Sequence, residues 1–145
     1  MNTINIKSVA LYSLPCFIPL MSHSISAGFP SPAEDYIEHG IDLNERLILN
    51  RATTFVLRVA GDSMIDAGIW DGDEIIVDRS ITPSNNDIVV AAIDNQLVIK
   101  RLKKTKTAIY LLAENPAYST ITIKKDQELV IWGVATCVLH KLTNK

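Results

Sequence analysis

The sequence predicts a mostly β protein, a compact antiparallel β fold with short N-terminal helices and an extended N-terminal arm. From residue 53 onward, short runs of β-branched and apolar residues follow one another along the chain. Turn-forming residues such as Pro83–Asn86 and Asp94–Asn95 separate these runs. No helix of strand-crossover length is expected between these runs, so the strands are expected to pair mostly antiparallel. A length of 145 residues fits one domain.

Seven strands are expected, because each run combines β-branched or aromatic residues with alternating or continuous apolar character. They span residues 53–60, 74–78, 87–93, 96–102, 107–112, 120–123 and 128–139.

Two short helices are expected before the first of these strands. Residues 33–39 begin with acidic residues after Pro32 and stop at Gly40. Asp42 is placed to cap a second helix over residues 43–49, whose apolar positions recur at helical spacing.

The apolar segment Val9–Met21 is open to two interpretations. An apolar run after Lys7, followed by small residues, is typical of a secretory signal. Pro15 and Pro19 interrupt it, however, and proline costs about 3 kcal/mol inside a helix. The run is also shorter than the roughly 20 residues that a membrane-spanning helix needs. A flexible, partly apolar arm is the second interpretation.

The composition argues against several functions. The chain has 14 basic and 16 acidic residues and a formal net charge of −2, so strong direct binding of nucleic acid by the bulk surface is not expected. Its cysteines and histidines are few and scattered, which argues against a disulfide framework, a metal site or a metal cofactor. These residues are Cys16, Cys137, His23, His39 and His140.

Ser63 lies in Gly61–Met64, where a predicted strand gives way to a turn. A serine after glycine at such a junction can expose its hydroxyl to converging backbone N–H groups. An ordinary turn role, or capping of a short helix by Asp62 or Ser63, is the alternative.

Lys100 shares one face of its predicted strand with Val98 and Leu102. Its aliphatic stem could pack there while the ammonium reaches water. Alternatively, an apolar site could lower the pKa of the lysine and make the neutral amine a general base. A serine nucleophile in this chain would need lysine, because no histidine stands in a recognisable Ser-His-Asp arrangement.

These segments, taken together, match one family. Gly61–Ile69, Asp71–Asp78, Asp87–Ala91 and Val98–Leu102, with Lys100 placed 37 residues after Ser63, resemble the LexA/UmuD family of Ser–Lys self-cleaving proteins. Further segments resemble its UmuD-like polymerase accessory subunits: residues 27–33, 35–36, 41–44, 116–119 and 132–136. The resemblance covers residues 27 to about 140 and implies the fold of that family's C-terminal domain.

The resemblance implies self-cleavage at the Ala27–Gly28 bond, with Ser63 as nucleophile and Lys100 as general base. Residues 1–27 would then be an arm removed by cleavage, and 28–145 a peptidase-like core that also dimerises. Small side chains at Ala27 and Gly28 suit a close approach of extended backbone to the serine. Backbone N–H groups at Asp62 and Ser63 are the expected oxyanion donors.

The resemblance also implies a cytoplasmic protein of the SOS response. RecA filaments on single-stranded DNA would stimulate cleavage, and the product would be a homodimer that joins a Y-family polymerase for mutagenic lesion bypass. Two alternatives use the same Ser–Lys chemistry: a LexA- or phage-type repressor and a type I signal peptidase. Only 52 residues, with no basic recognition helix, precede the first core strand, which disfavours a repressor. The short, proline-broken apolar run disfavours a membrane-anchored peptidase.

Two further features are left open by the sequence. Lys100–Lys106 contains five cations, which form either a solvated hairpin end or a contact for DNA or RecA. Trp70 departs from the small or polar residue usual at its motif position, and it indicates either a partner surface or packing.

Overall fold

The computed structural model describes residues 6–8, 14–21, 24–29, 37–124 and 126–145. The chain divides into two compact units. The larger comprises Met1–Val9 and Asn50–Lys145, and the smaller comprises Ala10–Leu49.

The described residues form ten strands, as the sequence predicts for a mostly β protein. In chain order they are β1 (Ile6–Ser8), β2 (Phe17–Met21), β3 (Ile37–Asp42), β4 (Thr54–Arg58), β5 (Glu74–Asp78), β6 (Ile88–Ile93), β7 (Gln96–Lys104), β8 (Ile109–Leu112), β9 (Ile121–Thr122) and β10 (Leu129–Leu139). Eight of them make one antiparallel sheet in the larger unit, in the order β1-β4-β5-β10-β6-β7-β8-β9. The seven strands predicted from residue 53 onward are present, with ends shifted by a few residues.

The sheet surrounds a core of apolar side chains contributed mainly by its central strands. Val89, Val90 and Ala91 of β6 are all at most 1% exposed, so this strand is buried on both faces. Such burial explains why its sequence is a continuous apolar run without polar alternation. Side chains from β4, β5 and β7 complete the core, including Leu57, Ile75, Val77 and Leu102.

Strand β10 lies at the centre of the sheet and pairs with both β5 and β6. Its register shifts on either side of Gly133, between residues 131 and 133 and between 135 and 137. A Cβ at Gly133 would lie 2.5 Å from Val77 Cγ1 and 3.3 Å from the Asp78 carbonyl oxygen. Glycine therefore suits this position of β10, where a Cβ would collide with β5.

The β6–β7 hairpin turns at Asp94 and Asn95, as the sequence predicts. Their φ angles are +48° and +65°, the left-handed values that a two-residue hairpin turn demands. This turn fixes the register that places Lys100 opposite Val89.

The smaller unit pairs β2 with β3 and continues into a helix, α1 (Leu43–Leu47). Asp42 caps this helix as predicted, because its Oδ1 accepts a hydrogen bond of 3.1 Å from the Asn44 backbone N–H. The helix is two residues shorter than expected.

The helix predicted over residues 33–39 is wrong where it can be compared. Residues 37–39 belong to β3, and 33–36 lie outside the described residues. Pairing with β2 gives the backbone of β3 a ladder of hydrogen bonds, and a tertiary contact of this kind outweighs a weak local helix preference. No helix among the described residues is long and apolar enough to cross a membrane.

Candidate functional site

The two side chains proposed as nucleophile and base meet in the larger unit. Lys100 Nζ lies 2.9 Å from Ser63 Oγ, although 37 residues separate them in the chain. The ladders of β4, β5, β10, β6 and β7 fold the intervening chain back on itself and bring the two residues together. This is hydrogen-bonding distance for direct proton transfer between a hydroxyl and an amine.

Lys100 occupies a buried position in the middle of β7. It is 9% exposed, and its Nζ lies 3.2 Å from the carbonyl oxygen of Ile99 in addition to the serine contact. Burial lowers the pKa of Lys100 below its ordinary value, because the charged ammonium loses water in an apolar site. The sequence left open a stem that packs while its ammonium reaches water. In the structure, Lys100 Nζ instead contacts Ser63 Oγ.

Ser63 is held at the end of a short loop between two anchored residues. Gly61 has a φ of +95°, which favours glycine, and its N–H donates a 2.7 Å hydrogen bond to Asp71 Oδ1. Met64, directly after the serine, is 1% exposed and packs in the core. The loop then enters a single 3-10 turn, Ile65–Ala67, that ends at Gly68.

A turn formed by residues 114–118, here called the clamp turn, binds the serine loop from the other side. The Glu114 backbone N–H donates to the Ser63 carbonyl oxygen at 2.8 Å, and the Asp66 N–H donates to the Glu114 carbonyl oxygen at 2.9 Å. Asn115 Nδ2 donates to the Asp62 carbonyl oxygen at 2.9 Å. The backbone around the nucleophile is thus fixed by contacts from a distant segment.

The clamp turn also contacts the side chain of Asp62. The Tyr118 hydroxyl donates to Asp62 Oδ1 at 2.5 Å, and this hydrogen bond, together with the negative charge, raises the pKa of Tyr118. Sequence motifs alone do not indicate that the clamp turn is part of the site. Asn115-Pro116 marks a turn in the sequence, but only the fold places that turn beside the serine.

The dyad lies in a cleft of about 240 Å³. One wall is the segment Arg58–Ser63 and the other is Leu97–Lys100 of β7, with core side chains such as Val90 at the base. The exposed Tyr118 borders the opening. A cleft with mainly apolar walls can hold an extended peptide and exclude water from the amine.

The expected oxyanion donors, the backbone N–H groups of Asp62 and Ser63, make no hydrogen bond to any described residue. With respect to the described residues, these two N–H groups are therefore free to donate to the carbonyl oxygen of a substrate. The neighbouring Gly61 N–H is already used by Asp71. Assignment of the oxyanion hole to Asp62 and Ser63 stays a prediction.

Ala27 and Gly28 lie in the smaller unit, in an exposed bend over residues 27–29 that follows β2 in the chain. Among the described residues, no atom lies within 4 Å of where a Cβ on Gly28 would stand, so there is open space beside this residue. Exposed, uncrowded backbone of this kind is typical of sites that proteases cut.

Two surface features left open by the sequence are exposed. Lys103, Lys104 and Lys106 lie on the surface at the far end of β7 and its hairpin. Trp70 is 54% exposed, and its ring centroid lies 6.3 Å from that of His140.

Comparison with known proteins gives a family and several relatives. Residues 19–136 match the model of the family described as Peptidase S24-like. The chain is 45% identical to Protein SamA of Salmonella typhimurium over 123 residues, 85% of each chain. It is 43% identical to Protein MucA of Escherichia coli over 120 residues, 82% of each chain.

A LexA repressor from Mycolicibacterium vanbaalenii is 36% identical over 128 residues, which is 88% of this chain and 53% of the repressor. The family match spans most of the chain and includes both members of the dyad. The chain therefore belongs to the Peptidase S24-like family, within the LexA/UmuD group of self-cleaving serine proteases that its sequence motifs predict.

Proposed function

We propose that this chain is an SOS-response protease that cleaves its own Ala27–Gly28 bond, after which residues 28–145 act as the accessory subunit of an error-prone translesion polymerase. The observation that carries the proposal is the 2.9 Å contact between Lys100 Nζ and Ser63 Oγ in an apolar cleft. An activated nucleophile of this kind requires a base that is neutral near physiological pH, and burial of Lys100 favours its neutral form.

Acylation begins with neutral Lys100, whose Nζ lone pair accepts the proton of the Ser63 hydroxyl. Ser63 Oγ then bonds to the carbonyl carbon of Ala27, and the carbonyl oxygen becomes an oxyanion facing the N–H groups of Asp62 and Ser63. As the tetrahedral intermediate collapses, the Ala27–Gly28 bond breaks. The Lys100 ammonium donates its proton to the departing Gly28 amine.

Deacylation returns the site to its starting state. Lys100, neutral again, accepts a proton from a water molecule, and the resulting hydroxide attacks the Ala27 ester. Ser63 Oγ leaves and regains its proton from Lys100, and the arm ends in the Ala27 carboxylic acid, which releases its proton to solvent as a carboxylate. One water is consumed and no cofactor is needed.

Tethering makes this chemistry feasible with a modest nucleophile. A scissile bond in the same chain, or in a dimeric partner, is presented at an effective concentration far above that of a free peptide. The small residues on both sides of the bond let extended backbone reach the Ser63 hydroxyl without steric conflict.

The partners follow from the family resemblance. We infer that a RecA filament on single-stranded DNA stabilises the cleavage-competent position of the arm, and that the cytoplasmic product dimerises and joins a Y-family polymerase. Light scattering of the purified 28–145 fragment tests dimerisation, with twice the fragment mass as the expected result. A monomer at micromolar concentration would contradict it.

Intact mass spectrometry tests the proposed cleavage directly. The full chain is incubated with RecA, ATP and single-stranded DNA, and a product beginning at Gly28 is expected. Ser63→Ala should remain intact under the same conditions. A different cleavage position would overturn the assignment of the bond, and the same product from Ser63→Ala would overturn the role of the serine.

A further inference from the structure

The clamp turn is bound to the strand that carries the base as well as to the loop that carries the nucleophile. Arg101, the residue after Lys100 in β7, forms an ion pair with Glu114 in which Arg101 Nε donates to Glu114 Oε1. The Glu114 backbone N–H in turn holds the Ser63 carbonyl oxygen at 2.8 Å. Lys100 is thus linked to Ser63 through three contacts: the peptide bond to Arg101, the Arg101–Glu114 ion pair and the Glu114–Ser63 backbone hydrogen bond.

Arg101 is itself fixed on its other side. Its Nη1 donates a 2.7 Å hydrogen bond to the carbonyl oxygen of Asn86, and the Asn86 N–H donates to the Leu102 carbonyl oxygen at 2.8 Å. The guanidinium is therefore held between the clamp turn and the backbone beside β7. A guanidinium with two partners in fixed directions restricts both, because its donors form a rigid fork.

The ion pair is sheltered compared with an ordinary surface pair. The side chains of Arg101 and Glu114 are 31% and 29% exposed, so water and salt screen their attraction only in part. Such a pair holds the clamp turn in position more firmly than a mobile surface contact would.

We propose that Arg101 and Glu114 are a positioning pair that sets the distance between Ser63 Oγ and Lys100 Nζ. Neither side chain takes part in bond making or breaking. The pair acts through the Glu114 backbone, which fixes the loop of the nucleophile relative to the strand of the base. This inference rests on the proposed function, since it assigns the pair a role in the reactivity of that same dyad.

A fluorophosphonate probe tests the inference on the whole chain. Ser63 Oγ attacks the phosphorus, fluoride leaves and the hydroxyl proton passes to Lys100, so the labelling rate reports the dyad without requiring arm cleavage. Glu114→Gln keeps the size of the side chain and removes its charge. The labelling rate is expected to fall about 10- to 100-fold, as small misplacements of reacting groups do. Arg101→Lys, which keeps the charge but loses the fork, should give a smaller loss.

The pH profile separates positioning from a general disturbance of the site. A positioning role predicts that the maximal labelling rate falls while the midpoint of the profile stays unchanged, because Lys100 remains equally buried. A variant that opened the cleft would rehydrate Lys100 and move the midpoint upward. Labelling is measured well below the melting temperature of each variant, so that the folded fraction does not limit the rate.

Glu74→Gln is the matched control. Glu74 also pairs with an arginine, Arg58, at 3.9 Å, and its side chain is 33% exposed, close to the value for Glu114. It should label at the wild-type rate. Wild-type rates in both Glu114→Gln and Arg101→Lys, or a raised midpoint in Glu114→Gln, would overturn the positioning role alone. A wild-type chain that labels no faster than Ser63→Ala would overturn the proposed function and this inference together.

Discussion

The middle and the C-terminal end of strand β7 place lysines in opposite surroundings. In the middle, Lys100 is 9% exposed, contacts Ser63 and has a lowered pKa. Three and four residues further on, Lys103 and Lys104 are exposed, and Lys106 in the following hairpin turn is exposed as well. Leu102, between the two regions, is fully buried. Residue type is therefore no guide to chemistry along this strand, and burial decides which lysine can act as a base.

The physical reason lies in solvation of the ammonium group. Water stabilises the charged form of an ammonium group. Lys100 loses that stabilisation in the cleft, which shifts its equilibrium toward the neutral amine.

The largest expected difference is between removal of Lys100 and removal of Lys103. Lys100→Ala should slow self-cleavage by about 10³-fold or more, near the upper range for loss of a general base. Lys103→Ala should cleave at the wild-type rate, because its ammonium lies in solvent. Both rates come from the fraction of the 28–145 fragment over time in intact mass spectra. Comparable rates for the two variants would remove Lys100 from the mechanism.

The pH dependence of cleavage tests whether Lys100 is desolvated in the active form. Only neutral Lys100 is active, so the rate should rise about tenfold per pH unit and then level off. Because burial lowers the pKa of Lys100, the midpoint should fall below 10.5, the ordinary value for lysine. Fragment formation without RecA, followed across pH, gives the profile. A midpoint at or above 10.5 would show that the amine is not desolvated in the active form.

The smallest expected effect is on the free energy of unfolding, compared with the effects on the cleavage rate and on its pH dependence. Since the pKa of Lys100 is lower in the folded than in the unfolded state, the unfolded chain binds more protons between the two values, and the free energy of unfolding rises with pH there. Lys100→Met should therefore be more stable than wild type at pH 7, with a difference that shrinks as the pH approaches about 10.5.

Lys103→Met is the control for this measurement. It should change the free energy of unfolding by no more than about 0.5 kcal/mol at either pH, as surface substitutions generally do. Urea unfolding at pH 7 and pH 10 gives both values. A Lys100→Met variant that is less stable than wild type at pH 7 would mean that the ammonium is well solvated in the fold.

Much of the larger unit could be predicted from local patterns. The β-branched runs that became β5, β6 and β10 and the Asp94-Asn95 turn all depend on neighbours within a few residues. The same holds for the Asp42 cap. The helix predicted over residues 33–39 failed at 37–39 because β3 pairs with a segment about twenty residues earlier. Local propensity contains no information about that pairing.

The candidate site also contains residues that the sequence identifies and residues that only the fold reveals. Ser63 and Lys100 were identified as a candidate pair from their motifs and spacing. The clamp turn and the Arg101–Glu114 pair were missed, because their contacts join positions 13 to 56 residues apart, and each residue by itself is an ordinary polar residue of a turn or strand.

The amino-acid sequence alone determined the β architecture, the family motifs and which serine and lysine are candidates, since these depend on short-range pattern and residue type. Only the tertiary structure decided that Lys100 is the desolvated lysine of its strand and that a distant turn holds Ser63 beside it. Burial and hydrogen-bond partners are properties of the folded sheet, in which chain segments from β4 to β7 and Tyr118 of the clamp turn meet around one cleft.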